Sequence, residues 1–436
     1  MKIKKSNFFT LFVLTMLPLS SQAVFENFST MGYAKWGNIS TNNDERNGGK
    51  GELDTVLRAQ EGYGNYRLGN EMNWWELGFK ADLWRQDEAY FDFTYYIGSG
   101  DKWGDVGTLQ VWSSAHNILP SLPGAVVWAG ERFYQRHEVH MIDVKYWDVS
   151  NKGFGIESID LNGAKLHLAY FTPESNYTAF SESGDYHDES RSLHHFDVRL
   201  SDLNIGEDAN ITLGLNYVFS QNENFEQFDN NGYTRQNITD SGAMLSMLYQ
   251  QKWALGSNTL AIQYGIDGLA GGLMSAEGAS AVKYAIGVDH DGSSFRVINH
   301  GDLFLNDNWG ALYSAAYQNL DLDNDYGSEW FSAGIRPQYS WNDFTATALE
   351  VGYERVKAQN GAGVNSFSKV TLAQMFQAGR SVWARPALRL FATYAELDNE
   401  WSRQGDVYGK PVTLSSGNAG SESEATFGFN IEVWWQ

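Results

Sequence analysis

Ala425-Thr-Phe-Gly-Phe-Asn-Ile-Glu-Val-Trp-Trp-Gln436 alternates with period two. Phe427, Phe429, Ile431, Val433 and Trp435 fall on one side, and Thr426, Gly428, Asn430, Glu432 and Trp434 on the other. An extended segment of this kind has one face for lipid and one for water. A soluble sheet shows the same alternation where its apolar face covers a core, so the rest of the chain must decide. Trp434 weighs most, because it is a large aromatic on the wet side.

The first residues point to export. A basic start (Lys2, Lys4, Lys5), an apolar run from Phe8 to Leu17 and the small-residue site Ser20-Ser21-Gln22-Ala23 form a secretory signal peptide over 1–23. Residues 24–436 are then expected to form a single transmembrane β-barrel domain. Elsewhere no uninterrupted apolar run reaches the roughly 18 residues that a membrane helix needs, so spanning falls to strands. A net charge of −22, made more negative by loss of the three leading lysines, argues against nucleic acid as a partner. Zero Cys in an exported chain excludes a disulfide framework and thiol chemistry. An aromatic content of 15% with 44 Gly and only 7 Pro suits turns and interfacial girdles, while a mean hydropathy of −0.41 is too polar for a helical bundle in lipid.

The closing pattern recurs. Ile211, Leu213, Leu215, Tyr217 and Phe219 share a face, as do Leu260, Ile262, Tyr264 and Ile266, and Lys165-Leu-His-Leu-Ala-Tyr170 behaves alike. Polar turn stretches at 41–51, 182–185 and 415–421 separate such runs. At ~20–25 residues per strand with its turn, the chain accommodates roughly 16–20 strands, enough to leave an aqueous lumen.

Parity then assigns inward residues. With Trp75, Leu77 and Phe79 facing lipid, Trp74, Glu76 and Lys80 face inward; Tyr33 shares a face with Lys35, and a strand through 382–390 puts Trp383 with Arg385 and Arg389. Rings lining water are unfavourable unless something apolar uses them. A row of rings offers flat surface to the C–H faces of a sugar, and flanking charged groups hydrogen-bond its hydroxyls. Both contacts are weak, as transport requires, since a permeant must leave each site as readily as it enters.

The stretch Leu122-Pro-Gly-Ala-Val-Val-Trp128-Ala-Gly-Glu-Arg132-Phe-Tyr-Gln-Arg136-His-Glu-Val-His-Met-Ile-Asp143-Val-Lys145-Tyr-Trp147-Asp148 resembles the signature of the maltoporin family of sugar-specific outer-membrane porins. Tyr66-Arg-Leu-Gly-Asn-Glu71, Phe196-Asp-Val-Arg-Leu200, Gly334-Ile-Arg-Pro337, Trp383-Ala-Arg-Pro386, Phe391-Ala-Thr-Tyr394 and Glu432-Val-Trp-Trp435 match as well. The resemblance implies an all-β transmembrane antiparallel barrel of about 18 strands, its water-filled lumen narrowed by an inward-folded loop, assembled as a homotrimer in the cell outer membrane. It implies facilitated diffusion of maltose and maltodextrins along an aromatic slide: Tyr33, Trp74, Trp383 and Trp434, with Trp103 from a neighbouring subunit. The polar track and constriction would be Lys35, Arg67, Glu76, Arg136, Asp143, Lys145 and Asp148.

Several positions depart from the family. Lys145 stands where maltoporins carry the constriction tyrosine, Leu109 where the early track has an arginine, and Met72 where enteric members have a loop cysteine. The slide position near the periplasmic exit falls at Ser257, with Trp253 as a substitute nearby. No heptad pattern precedes Tyr33, unlike sucrose and some glucoside porins, and Gln436 follows the terminal aromatic pair. Another glucoside, sucrose or an anionic sugar is therefore the alternative substrate.

The same residues speak against rival functions. Among 9 His, only His194-His195 and His137-Glu-Val-His140 cluster; residues 137 and 140 of a strand point to opposite faces, and His-x-x-His lacks the helix and spacing of a zinc protease, which argues against an outer-membrane hydrolase. Asp321-Leu-Asp-Asn-Asp325-Tyr-Gly327 superficially resembles a calcium loop, but its Gly comes one place late and no Glu closes it, so a solvated acidic loop is expected. A non-selective porin has no reason to line water with Trp. No cofactor or metal is implied; the expected partners are oligosaccharides, outer-membrane lipid and lipopolysaccharide, further copies of the chain and, for the outer loops, a phage.

Overall fold

The computed structural model describes residues 26–42, 57–70, 73–100, 106–180, 186–220, 239–276, 284–286, 289–403, 411–413 and 420–435. Their strands close into an 18-strand antiparallel barrel. The first strand, Glu26–Thr41, pairs on one side with the second, Trp74–Gln86, and on the other with the closing strand, Gly420–Trp435, so the sheet has no free edge. One wall strand, Ala164–Phe171, breaks at Thr172-Pro173, where proline has no N–H to give the ladder. It resumes as Glu174–Phe180 against the same neighbour, Tyr186–Asn204.

The two-residue alternation survives folding. In the closing strand Phe427 and Phe429 are 66% and 57% exposed on the outer wall, while Thr426, Asn430 and Glu432 are buried inside. Leu213, Leu215, Tyr217, Tyr264, Ile266 and Leu168 are exposed on the same outer belt. Short turns such as Asp87-Glu88, Asn162-Gly163 and Ala254-Leu255 lie at the end where the first strand begins and the closing strand finishes. That is the periplasmic end, and the longer connections are extracellular. The expected turn stretches at 43–51, 182–185 and 415–419 lie outside the described residues.

The hydrophobic core sits inside the barrel rather than between layers. Three segments fold inward from the extracellular side: 57–70, 133–150 and 268–276. The middle one carries a short strand, His137–Val139, a 3-10 turn, His140–Ile142, and a second strand, Val144–Trp147, which pairs with Ser275–Ala276 of the third. Backbone bonds from Asn65 to Ile142 (3.2 Å), Arg67 to Met141 (3.0 Å) and Asp148 to Leu273 (2.9 Å) join the three. Val139, Met141, Ile142, Val144, Tyr146 and Trp147 are buried against Leu269, Leu273, Ile298, Ala316, Trp330 and Val356 of the other segments and the wall.

The wall is shaped to receive these rings. A Cβ on Gly214 would lie 2.2 Å from the Trp147 indole, and one on Gly352 would lie 2.4 Å from the Tyr66 ring, so both glycines are needed for close approach. Buried wall charges then take up the loop's backbone groups, as buried polar atoms must. Lys369 donates to the Leu68 carbonyl (2.6 Å) and to Glu350 (2.8 Å), and Glu354 accepts from the N–H groups of Tyr63 (3.0 Å) and Gly64 (2.8 Å). The Trp147 N–H reaches Asn216 (3.0 Å), and Arg199 holds the Gln135 carbonyl (2.7 Å). Together these segments narrow the lumen to a ring-lined cavity of about 970 Å³.

Candidate functional site: a ring-lined constriction

Three neighbouring strands supply the upper rings. Register places Tyr33 directly opposite Trp434 across the barrel seam and opposite Glu76 on its other side, with Lys35 opposite both Glu432 and Trp74. Because the first and closing strands run antiparallel and Tyr33 and Trp434 have the same inward parity, their rings meet at 6.5 Å with 16° between planes. Farther toward the periplasm, His140 of the inward 3-10 turn lies 5.8 Å from Trp434 and 5.2 Å from Trp383. The row therefore runs Trp74, Tyr33, Trp434, Trp383 from outside to inside.

The rings are fixed by charge. Trp74 donates its indole N–H to Glu76 (2.7 Å) and Trp383 donates to Asp302 (2.8 Å). Arg385 covers Trp434 at 4.1 Å, a cation–π contact. With their polar edges already satisfied, what Trp74 and Trp383 offer a ligand is an apolar face.

Behind the row, one carboxylate holds three guanidinium groups. Glu432 accepts from Arg67 (3.0 Å), Arg385 (2.6 Å) and Arg389, and from the Tyr33 hydroxyl (3.0 Å). The carboxylate and the three guanidinium groups are buried, so this anion helps to offset the desolvation of each cation. Arg67 also donates to Nδ1 of His140 (2.9 Å), which makes that nitrogen an acceptor. Burial, and next the Arg67 charge, hold the His140 imidazole well below its usual range and keep it neutral.

The facing side of the cavity comes from the inward loop. Asp143 caps the 3-10 turn at φ 51°, a left-handed conformation that aspartate tolerates, and this turns its carboxylate toward the lumen. Lys145 pairs with it at 3.3 Å. Asp148 accepts from the N–H of Ser150 (3.0 Å), and Arg136 stacks at 3.8 Å over Phe133.

Tyr33, Lys35, Arg67, Trp74, Glu76, Arg136, Asp143, Lys145, Asp148, Trp383 and Trp434 all line this one cavity. Trp103 lies outside the described residues. Two expectations fail on placement. Trp383 and Arg385 are not on a strand: the wall strand begins at Ala387, and both sit in the periplasmic turn 378–386, which folds inward. Trp253 cannot stand in for a ring at Ser257, because it has the outward parity of Leu245 and Tyr249 and is exposed on the outer wall. His137 and His140 do diverge, though through the 3-10 turn: His137 stacks on Trp147 at 5.5 Å while His140 joins the ring row. Asp302 and the buried role of Glu432 escaped the sequence reading, although inward parity with Arg296, Ile298 and His300 could have flagged the first.

A closed antiparallel barrel with an apolar outer belt, a polar ring-lined lumen and an inward-folded constriction is an outer-membrane porin. More narrowly, the chain belongs to the LamB porin family, whose pattern it matches over residues 28–435. Similar solved structures include OmpT, an outer membrane protein of Vibrio cholerae in a trimer form, at 9% identity and a TM-score of 0.41, covering 94% of this chain and 99% of that one. OccK1 (OpdK) of Pseudomonas aeruginosa is similar at 9% identity and a TM-score of 0.46, covering 94% and 100%.

Proposed function

We propose that this porin conducts oligosaccharides by passive, energy-independent diffusion, with maltose and maltodextrins the leading substrates, and that it works as a homotrimer after loss of residues 1–23. The observation that carries the reading is the row Trp74, Tyr33, Trp434 and Trp383, in which both tied indole N–H groups end on lumen carboxylates and leave apolar faces toward the pore. Such faces suit the C–H side of a pyranose, while Lys35, Glu76, Arg136, Asp143 and Asp148 line the same cavity for its hydroxyls. Transport here involves no chemistry, and the weak contacts allow a sugar to move from ring to ring.

The pairing of Lys145 with Asp143 favours neutral sugars over anionic ones, since the lysine charge is offset at 3.3 Å instead of standing alone in the constriction. Ion current through the protein in planar bilayers tests the proposal. Maltooligosaccharides should interrupt the current reversibly, and longer ones more tightly as more rings are covered. Current indifferent to every oligosaccharide would refute it.

A further inference from the structure

At its outer end the cavity has a second apolar surface, beside the ring row. On the strand Gly107–His116, alternation alone would send Leu109 to lipid, because its neighbour Gln110 faces inward and accepts from the Phe133 N–H (2.8 Å). A bulge intervenes. Thr108 pairs with Ile97 and Gln110 with Tyr96, so Leu109 is the extra residue, and its side chain lines the lumen. There it lies close on the wall where Gly98 has no side chain: a Cβ on Gly98 would stand 2.6 Å from Leu109 Cδ1. Tyr96, one inward position nearer the periplasm, packs likewise over Gly78, where a Cβ would stand 2.5 Å from its ring. The close approach requires both glycines.

Polar groups border this surface. Gly98 pairs with Glu76 and Gly78 with Tyr96, so the carboxylate, the leucine and the phenol share one corner of the cavity. Glu76 uses Oε1 to hold the Trp74 indole (2.7 Å), while its Oε2 takes no hydrogen bond from the described residues. The Tyr96 hydroxyl makes none with them either, and the charges that act on it are those of Glu76 and Arg136. An acceptor, an aliphatic patch and a donor thus stand next to the aromatic face of Trp74.

We propose that Glu76, Leu109 and Tyr96 form a subsite for the acetamido group of an N-acetylated amino sugar, a further substrate class for this pore. The group has three parts, and the corner has a counterpart for each. Its N–H donates to Glu76 Oε2, its methyl packs on Leu109, and its carbonyl accepts from the Tyr96 hydroxyl, while the pyranose stacks on Trp74. A glucose unit carries only a hydroxyl at carbon 2 and leaves the leucine bare to water. The subsite rests on the oligosaccharide reading above, which it extends from plain glucans to acetylated ones.

The test compares current block in planar bilayers by two trimers of the same β-1,4 linkage, one of N-acetylglucosamine and one of glucose, so that only the acetamido group differs. Maltotriose is run in parallel, and open-channel conductance reports intact pores. Wild type should bind the acetylated trimer about fivefold or more tightly than its glucose counterpart, the combined scale of one buried methyl and one hydrogen bond. Leu109→Asn and Tyr96→Phe should each cut this ratio about threefold, the first through the methyl contact and the second through the carbonyl bond, and either carries the test should the other form no pores. A wild-type ratio near one, or a pore-forming variant that keeps the wild-type ratio, overturns the subsite. Block by maltotriose with no preference between the β-linked trimers refutes the acetamido subsite and leaves the sugar channel standing; indifference to all three trimers removes the oligosaccharide reading and the subsite with it.

Discussion

Replacing Trp383 with alanine separates the ring row from the scaffold better than any change in a strand. Residue 383 lies in the turn 378–386, and the bonds that hold that turn come from Ser340, Gln338 and Gln377, so the substitution removes no ladder bond. Three contacts disappear: one apolar face toward the pore, the indole bond to Asp302, and the ring contact with His140 at 5.2 Å. The carboxylate lines an aqueous lumen and can be rehydrated, so most of the loss is the face. Taking ~1–1.5 kcal/mol for an aromatic contact in a wet site, sugar block weakens about five- to twelvefold. Trp383→Phe keeps a face and drops the N–H, and should stay within about threefold of wild type. The assay is the concentration dependence of current block, with single-channel conductance as the control. An alanine variant that binds as well as wild type, or a phenylalanine variant as poor as alanine, would show that Trp383 does not act through its face.

Lys145→Tyr replaces a paired ammonium by a ring, so maltodextrin block should strengthen about three- to tenfold; with one positive charge removed from the constriction, reversal potentials should move toward cations. Unchanged block and unchanged ion preference would mean that Lys145 plays no part in the filter. Glu432→Gln removes the carboxylate charge shared by three buried arginines, a change of the kind that costs roughly 3–5 kcal/mol, and barrels should lose heat resistance in detergent; a variant as resistant as wild type would contradict the charge-compensating role of Glu432. The His140 imidazole is held well below 6.5 by burial and by Arg67, so the folded protein takes up this proton less readily than the unfolded chain. Its contribution to stability is then complete above about pH 6.5 and is lost as pH falls from there toward the depressed native value. His140→Asn should therefore flatten the acid side of a stability profile measured between pH 7 and 4, and equal slopes for the two proteins would rule this out.

The wall was legible in the sequence because lipid and water impose opposite demands on alternate residues, and Phe427, Phe429, Glu432 and Trp434 met them with no help from distant contacts. The pore rings followed from the same parity at Tyr33 and Trp74. Trp383 was placed on the right side for the wrong reason. Val382-Trp383-Ala384-Arg385 mimics a strand, yet Pro386 can give no ladder bond and Gly379-Arg380-Ser381 is turn chemistry. The inward loop was invisible to periodicity, since the apolar residues Met141, Ile142 and Val144 bury against segments of the same chain and leave no lipid-facing alternation. Sharing of Glu432 by Arg67, Arg385 and Arg389 is likewise a product of register, which brings together residues hundreds of positions apart.

The seam between the first and closing strands has a consequence for biogenesis. Tyr33 and Trp434, whose rings stack across it, are contributed by the two ends of the barrel, and Glu432 of the last strand is what Arg67 near the start of the chain holds on to. During insertion, every intervening strand must be laid down before these partners can meet. A half-assembled intermediate thus has neither a sealed wall nor a complete ring row, and the event that closes the wall is the same one that brings Tyr33 and Trp434 together.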